Sequence, residues 1–304
     1  MPVAALTNIS IDAVSTAIES SFDDAKRSFE TRNNTTWTQL ASRIDAIGVD
    51  EVLHDFFENL APMERWTGGK KFQDLIERQY KTSHEPFQVS VRMRREDLRR
   101  RIKAQGFGAA SMNIASKLAA RAAQLDNVQV LAQLTSPTKL GYDGQPLFSA
   151  AHPDGGTQSN QDSGGGGQYW YLMSLEHSVK PVLRVLGEDY SVKDHASEDT
   201  TENFMNRLLY WSVEFWGGYY PGLWQTAYRS NQTLDGTNLD AAIQSMSGFL
   251  DYHGQQLGLM PTHLVVGRSN WRTARSLLGL STVTTGGENV DRGIVELIYS
   301  PLLP

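Results

Sequence analysis

The 304-residue chain contains no cysteine. That excludes disulfides, thiol catalysis and Cys-ligated metal, and it fits folding in a reducing cytoplasm. No apolar run approaches the roughly 20 residues needed to cross a bilayer, so no membrane partner is expected. The opening MPVAALTNIS lacks a basic start and a long apolar stretch, so no signal peptide is expected. His54, His84, His152, His177, His195, His253 and His263 form neither HExxH nor another close metal-ligand spacing. No serine lies in a nucleophile elbow. His152 with Asp154, and His195 with Asp194, are local acid–base neighbours of a kind common in turns. The expectation is therefore no catalytic residue, no cofactor, no metal and no enzyme. A hydrolase-type site in the C-terminal part is kept as an alternative, because catalytic groups often converge from distant positions.

What is present points to a globular protein. Apolar residues make up 40% and charged ones 20%, in a chain long enough for one large core or two modules. The net charge of −6 hides an asymmetry. Residues 1–60 carry 4 basic and 10 acidic side chains, 61–140 carry 15 and 7, and 141–304 carry 9 and 17. A basic middle between acidic ends suggests complementary contacts, within a chain or between copies. The acidic total argues against a dedicated nucleic-acid binder.

The stretch from Gly106 to Ala132 organises the rest. It is rich in alanine, the best helix former, and has no Gly or Pro after Gly108. Ile114, Leu118, Ala122, Leu125 and Val128 share one helical face, with Asn113, Lys117, Arg121 and Gln124 opposite. Upstream, Ile11, Val14, Ile18, Phe22, Ala25 and Phe29 keep helical spacing until TRNNTT breaks it. Trp37, Leu40, Ala41 and Ile44 suggest a second amphipathic helix. These pieces have no large core of their own. They are expected to pack on the later domain or on a neighbouring copy, and to be ordered only on neighbouring copies. Phe87, Val89, Val91 and Met93 alternate with Gln88, Ser90, Arg92 and Arg94, the period of a strand. Lys70 to Tyr80 is expected to pair with it as a polar ribbon, with a basic base running from Arg92 to Lys103.

Asp143-Gly144 is a turn signal, because glycine accepts positive φ. The six glycines between Asp154 and Gln168 suggest a flexible loop, without the following helix or Lys-Ser/Thr pair of a phosphate cradle. On this reading His152 is a loop residue. His152→Ala should then cost little, and Gly144→Val more. Trp170–Met173, Pro181–Val185 and the alternation around Leu208–Val213 suggest strands, and the aromatics from Gly217 to Ser230 a core or an interface. The end has an αβαβ rhythm. One helix is capped by Asn238 and stops near Gly254, a strand runs over His263–Val266, and a helix capped by Ser269 precedes a strand over Ile294–Ser300. Together they suggest a small α/β module.

Several of these pieces resemble the major head (capsid) subunits of Mu-like tailed phages and prophages. They are NLAPMERWTGGKK with the strand leading into RREDL, YDGQPLFSAAHP, GGYYPGLWQTAY, NLDAAIQSM with LGLMPTHLVVGRSNWRTARSLL, and ELIYSPLLP. The resemblance spans most of the chain from Glu58 onward. It implies an α+β, Hong Kong 97-type capsid fold. Its parts would be an N-terminal arm (1–60), an extended loop (61–98), a peripheral domain with a long spine helix (99–232) and an axial domain (233–304), with peripheral strands preceding the axial domain in a permuted order. It implies a subunit that self-assembles as hexamers and pentamers into an icosahedral head around double-stranded DNA. That head would be assembled in the host cytoplasm and found in the virion, with scaffold, portal and decoration proteins as further partners. An encapsulin-like compartment shell is the nearest alternative. Arg92, Arg94, Arg95, Arg99, Lys70 and Lys71 are the candidate intersubunit contacts, and Asp143 and Gly144 the structural turn.

Overall fold

A computed structural model describes residues 11–32, 36–57, 77–194, 207–251, 253–280 and 289–304. In chain order these form α1 (Ile11–Arg32), α2 (Trp37–Leu40), β1 (Ala41–Asp45), β2 (Glu51–Phe57), β3 (Glu77–Ser83), β4 (Glu85–Arg94), α3 (Arg95–Gln105) and α4 (Phe107–Thr135). Then come β5 (Gln161–Asp162), β6 (Trp170–Met173), β7 (Val182–Asp194), β8 (Leu208–Pro221), β9 (Ala227–Ser230), α5 (Gly236–Ser247), β10 (His263–Val266), α6 (Trp271–Gly279) and β11 (Glu296–Tyr299). The chain divides into two compact units that interleave in sequence. The first comprises residues 1–35, 84–127 and 186–217, and the second 36–83, 128–185 and 218–304.

The first unit is built on α4. Its buried positions come in pairs four residues apart: Ala110 and Ser111, Ile114 and Ala115, Leu118 and Ala119, Ala122 and Ala123, Asp126 and Asn127. A row of i+4 steps slants around the helix by about 40° per step. The buried stripe therefore drifts off the expected face: Val128 is 46% exposed, and Asp126 and Asn127 are buried. Val14, Ile18 and Phe22 of α1 join Leu98 and Ile102 of α3, Leu118 of α4, and Leu209, Trp211 and Val213 of β8 in one core. The arm helix is thus not left to a neighbouring copy for its order. Each such side chain contributes about 1.5–3 kcal/mol by leaving water.

β4 also departs from the expectation. It pairs antiparallel with β8 rather than with the segment before it, setting Phe87 opposite Phe215, Val89 opposite Val213, Val91 opposite Trp211 and Met93 opposite Leu209. Residues directly opposite share a face, so this register makes one continuous apolar surface for α1 and α4 to cover. A polar partner strand would have left half of that face in water.

In the second unit the ribbon is β2 with β3, in register from Glu51 opposite Ser83 to Phe57 opposite Glu77. Trp37–Ile44 is one helical turn followed by β1, not one helix. Ser42 explains part of the switch: its hydroxyl donates to the Ser178 carbonyl at 3.1 Å and accepts from Lys180 N at 2.9 Å. A five-stranded sheet runs in the order β11-β10-β6-β9-β5. β10 lies between β11, to which it is parallel, and β6, to which it is antiparallel. The closing αβαβ stretch is therefore not self-contained. Leu264, Val265 and Val266 are fully buried, and a buried strand must satisfy its backbone on both edges. Helix α5 is capped by Asp235, whose Oδ1 accepts from Asn238 N at 2.8 Å, and it closes at Gly248 rather than Gly254. Asn270, not Ser269, precedes α6, and no side chain caps it.

Candidate functional site: a sealed loop cluster and a basic shoulder

The loop from Gly141 to Gln168 is not a free linker. Asn160 is fully buried and acts as a hub. Its Nδ2 donates to the carbonyls of Leu147 at 2.7 Å, Ala227 at 3.2 Å and Trp224 at 3.3 Å. Its Oδ1 accepts from Ser149 N at 2.9 Å and faces His152 Nε2 at 3.1 Å. His152 Nδ1 lies 2.6 Å from Asp143 Oδ2, and its ring stacks on Trp224 at 4.1 Å and 4°. Asp154 has other partners. Its Oδ2 accepts from Tyr142 OH at 2.7 Å, Trp224 Nε1 at 3.1 Å and Gln225 Nε2 at 3.2 Å. Burial, and next the Asp154 carboxylate, push the Tyr142 phenol far above its ordinary range. Gly144, at φ +76°, makes the turn that places Asp143 under the imidazole. Gly165 lies so close to Asn231 that a Cβ there would collide with the Asn231 carbonyl.

Two expectations are corrected here. The carboxylate beside His152 is Asp143, not Asp154. His152 is also not a dispensable loop residue, being 0% exposed. A histidine–carboxylate pair looks like a general base, but this one has no solvent face on which a substrate could sit. Its geometry holds a loop together. His195, the other candidate, lies outside the described residues.

The second feature is the charged shoulder where β4 runs into α3. Arg92 and Arg94 alternate outward on β4, and Arg95, Arg99 and Arg100 stand exposed on α3. Arg100 reaches Asp97 at 3.5 Å. Arg92, Arg94, Arg95, Arg99 and Arg101 make no ion pair among the described residues. Arg207 clamps the start of α3. Its carbonyl accepts from Arg95 N at 2.9 Å, and its Nη1 bonds Glu96 Oε1 at 3.1 Å. The Glu96 carboxyl is held below its usual range, first by its own backbone N–H and then by Arg207. Arg94 and Arg95 sit at the N-terminus of α3, where the helix dipole disfavours cations. Glu96 and Asp97 in the first turn of α3 offset part of that cost. Lys70 and Lys71 lie outside the described residues.

A family model described as Mu-like prophage major head subunit gpT matches residues 11–303. The chain belongs to that family. Among Mu-like head subunits, it is 27% identical over 260 residues to the major capsid protein of Escherichia phage Mu, covering 79% of this chain and 82% of that protein. It is 25% identical over 242 residues to the FluMu prophage major head subunit of Haemophilus influenzae, covering 75% and 77%. Among solved structures, the bacteriophage JBD30 capsid matches with TM-score 0.76 at 15% identity, over 88% of this chain and 91% of that one. The JBD30 procapsid matches with TM-score 0.74 at 20% identity, over 97% and 100%. The fold is thus the α+β capsid fold expected from the sequence.

This head subunit is a major capsid protein of the Mu-like type, and its place is the virion shell. Neither the compartment shell nor the hydrolase finds support in these relatives. No described helix is long and apolar enough to cross a membrane. Sequence reasoning missed Asn160 and Trp224. A lone Asn in a Gly-rich run and one Trp among several carry no signal of being a hub and its lid.

Proposed function

We propose that this head subunit assembles as hexamers and pentamers into an icosahedral shell around double-stranded DNA, and that its role is structural rather than catalytic. The observation that carries the reading is the basic shoulder. Arg92, Arg94, Arg95 and Arg99 are exposed and without ion pairs among the described residues, in a chain that is acidic overall. Unmatched like charges on a rigid strand–helix junction are stabilised when a neighbouring copy supplies the opposite sign. Lys70 and Lys71 belong to the same proposed set.

The ribbon of β2 and β3 reads as the base of the extended loop: β3 falls within the 61–98 expected from the sequence, and β2 carries the base back into residues 51–57. On this reading the arm is the part of the expected 1–60 that precedes β2. We read the peripheral domain, expected at 99–232, around α4 and β8, and the axial domain, expected at 233–304, around β10 and β11, whose sheet also includes β5, β6 and β9. Scaffold and portal proteins are expected partners. A minor capsid protein is another, since trimers of one decorate the JBD30 capsid. DNA would meet the inner face without sequence specificity.

The test is Arg94→Glu with Arg95→Glu, expressed with any scaffold the subunit needs. Shells counted by electron microscopy should be lost while circular dichroism stays unchanged. Isolated surface pairs contribute only about 0–1 kcal/mol, but repetition across a shell multiplies a small deficit. Equal particle yield at low and high salt would overturn the reading.

A further inference from the structure

The shoulder holds an open cavity of about 560 Å³, lined by Arg92, Arg94, Arg100, Arg101, Asp97 and Leu208. It has four guanidinium groups and one carboxylate, and that carboxylate is already taken up by Arg100 at 3.5 Å. The same unit carries the opposite charge elsewhere. On α1, Asp12, Glu19 and Asp23 are exposed and make no ion pair among the described residues. At 100° per residue these three share one face, and the buried Val14, Ile18 and Phe22 share another, centred about 120° around the helix.

We propose that the arginine cavity receives the acidic face of α1 from a second copy of this chain. The inference rests on reading the shoulder as an intersubunit surface, and it names the element that fills it. From Asp12 to Asp23 the acidic face runs about 16 Å along the helix. The basic side runs about 9 Å along α3 from Arg95 to Arg101, plus about 7 Å of β4 from Arg92 to Arg94. The contour lengths are similar. The acidic face is also held rigid, because α1 is anchored by its buried side. Guanidinium groups suit carboxylates, which they bind through paired hydrogen bonds. Phosphate of packaged DNA is the other polyanion at hand. A chain of net charge −6, each copy of which offers a matching acidic helix, favours the carboxylates. Cavity and stripe are different patches, so the contact is head-to-tail. That geometry propagates from copy to copy and gives a ring where the rotation between copies closes.

The experiment is a charge exchange in the full chain, expressed with whatever other head proteins assembly requires. One variant reverses the cavity (Arg100→Glu with Arg101→Glu), one reverses the stripe (Glu19→Lys with Asp23→Lys), and one carries all four changes. Folding is checked by circular dichroism and melting. Each reversal alone should lower shell yield about tenfold at low salt, and the four-fold variant should recover most of it. Failure of the combined variant to recover overturns the proposal. If Arg94→Glu with Arg95→Glu still blocks assembly in that case, the shoulder remains an intersubunit surface and only its partner is wrong. If cavity reversal spares empty shells and lowers retained DNA, the ligand is phosphate and the proposal falls. Should a reversal misfold, Arg100→Gln with Arg101→Gln and Glu19→Gln with Asp23→Gln take its place. Both pairs should weaken the salt dependence of assembly, and an unchanged salt dependence overturns the idea.

Discussion

Replacing His152 by alanine should be among the most damaging single changes in the loop, and more damaging than Gly144→Val. The imidazole and the Asp143 carboxyl are 0% and 1% exposed and lie 2.6 Å apart. Removing the ring leaves the Asp143 oxygen in a space that water reaches poorly. Breaking a buried pair by deleting one partner costs about 3–5 kcal/mol. The ring also stacks on Trp224 at 4.1 Å, so its loss opens a cavity against a large aromatic. Gly144 is at φ +76° with no heavy atom within 4 Å of a built Cβ, so valine meets backbone strain but no clash. That strain is roughly 1–3 kcal/mol. In a protein of this size about 1 kcal/mol moves a melting point by roughly 2 °C. His152→Ala should then lower the melting temperature of the unassembled subunit by about 6–10 °C, and Gly144→Val by about half as much. A second step tests the cause. In the His152→Ala background, Asp143→Asn should cost little or even restore stability, because it removes the stranded charge. In the parent it should be destabilising. If His152→Ala melts within a degree of the parent, or if the two changes are additive, the buried pair does not hold this loop.

Two smaller predictions follow from the packing. Gly165→Ala should destabilise the loop by forcing a Cβ into the Asn231 carbonyl, and limited proteolysis should cut near Gly164–Gly167 faster than in the parent. Cutting at the parent rate would show that the loop is not held against Asn231. Ile18→Ala removes a side chain that is 0% exposed in the core of the first unit, at a cost of about 2–5 kcal/mol. Its effect should show in urea unfolding of unassembled subunits, and a loss seen only in assembled shells would mean that α1 is stabilised by neighbours instead.

The sequence by itself determined the local elements whose cause is local. The alanine-rich run had to be a long helix, the apolar spacing of residues 14–29 another, and the alternation at 87–93 a strand, since period and propensity need only near neighbours. The positive φ of Gly144 was legible for the same reason. Tertiary structure alone decided partners. β4 took β8 because only that strand set Phe215, Val213, Trp211 and Leu209 opposite its own apolar row. β10 joined β6 because a strand buried on both faces needs hydrogen bonds on both edges. The slant of the buried stripe on α4 came from what packs on it, which put Val128 in water and Asp126 inside. Asn160 became a hub because the chain brings three carbonyls, from residues 147, 224 and 227, to one amide. A hydrogen bond spanning more than sixty residues leaves no periodic trace in the chain that makes it, so that cluster could be seen only once the backbone had closed around it.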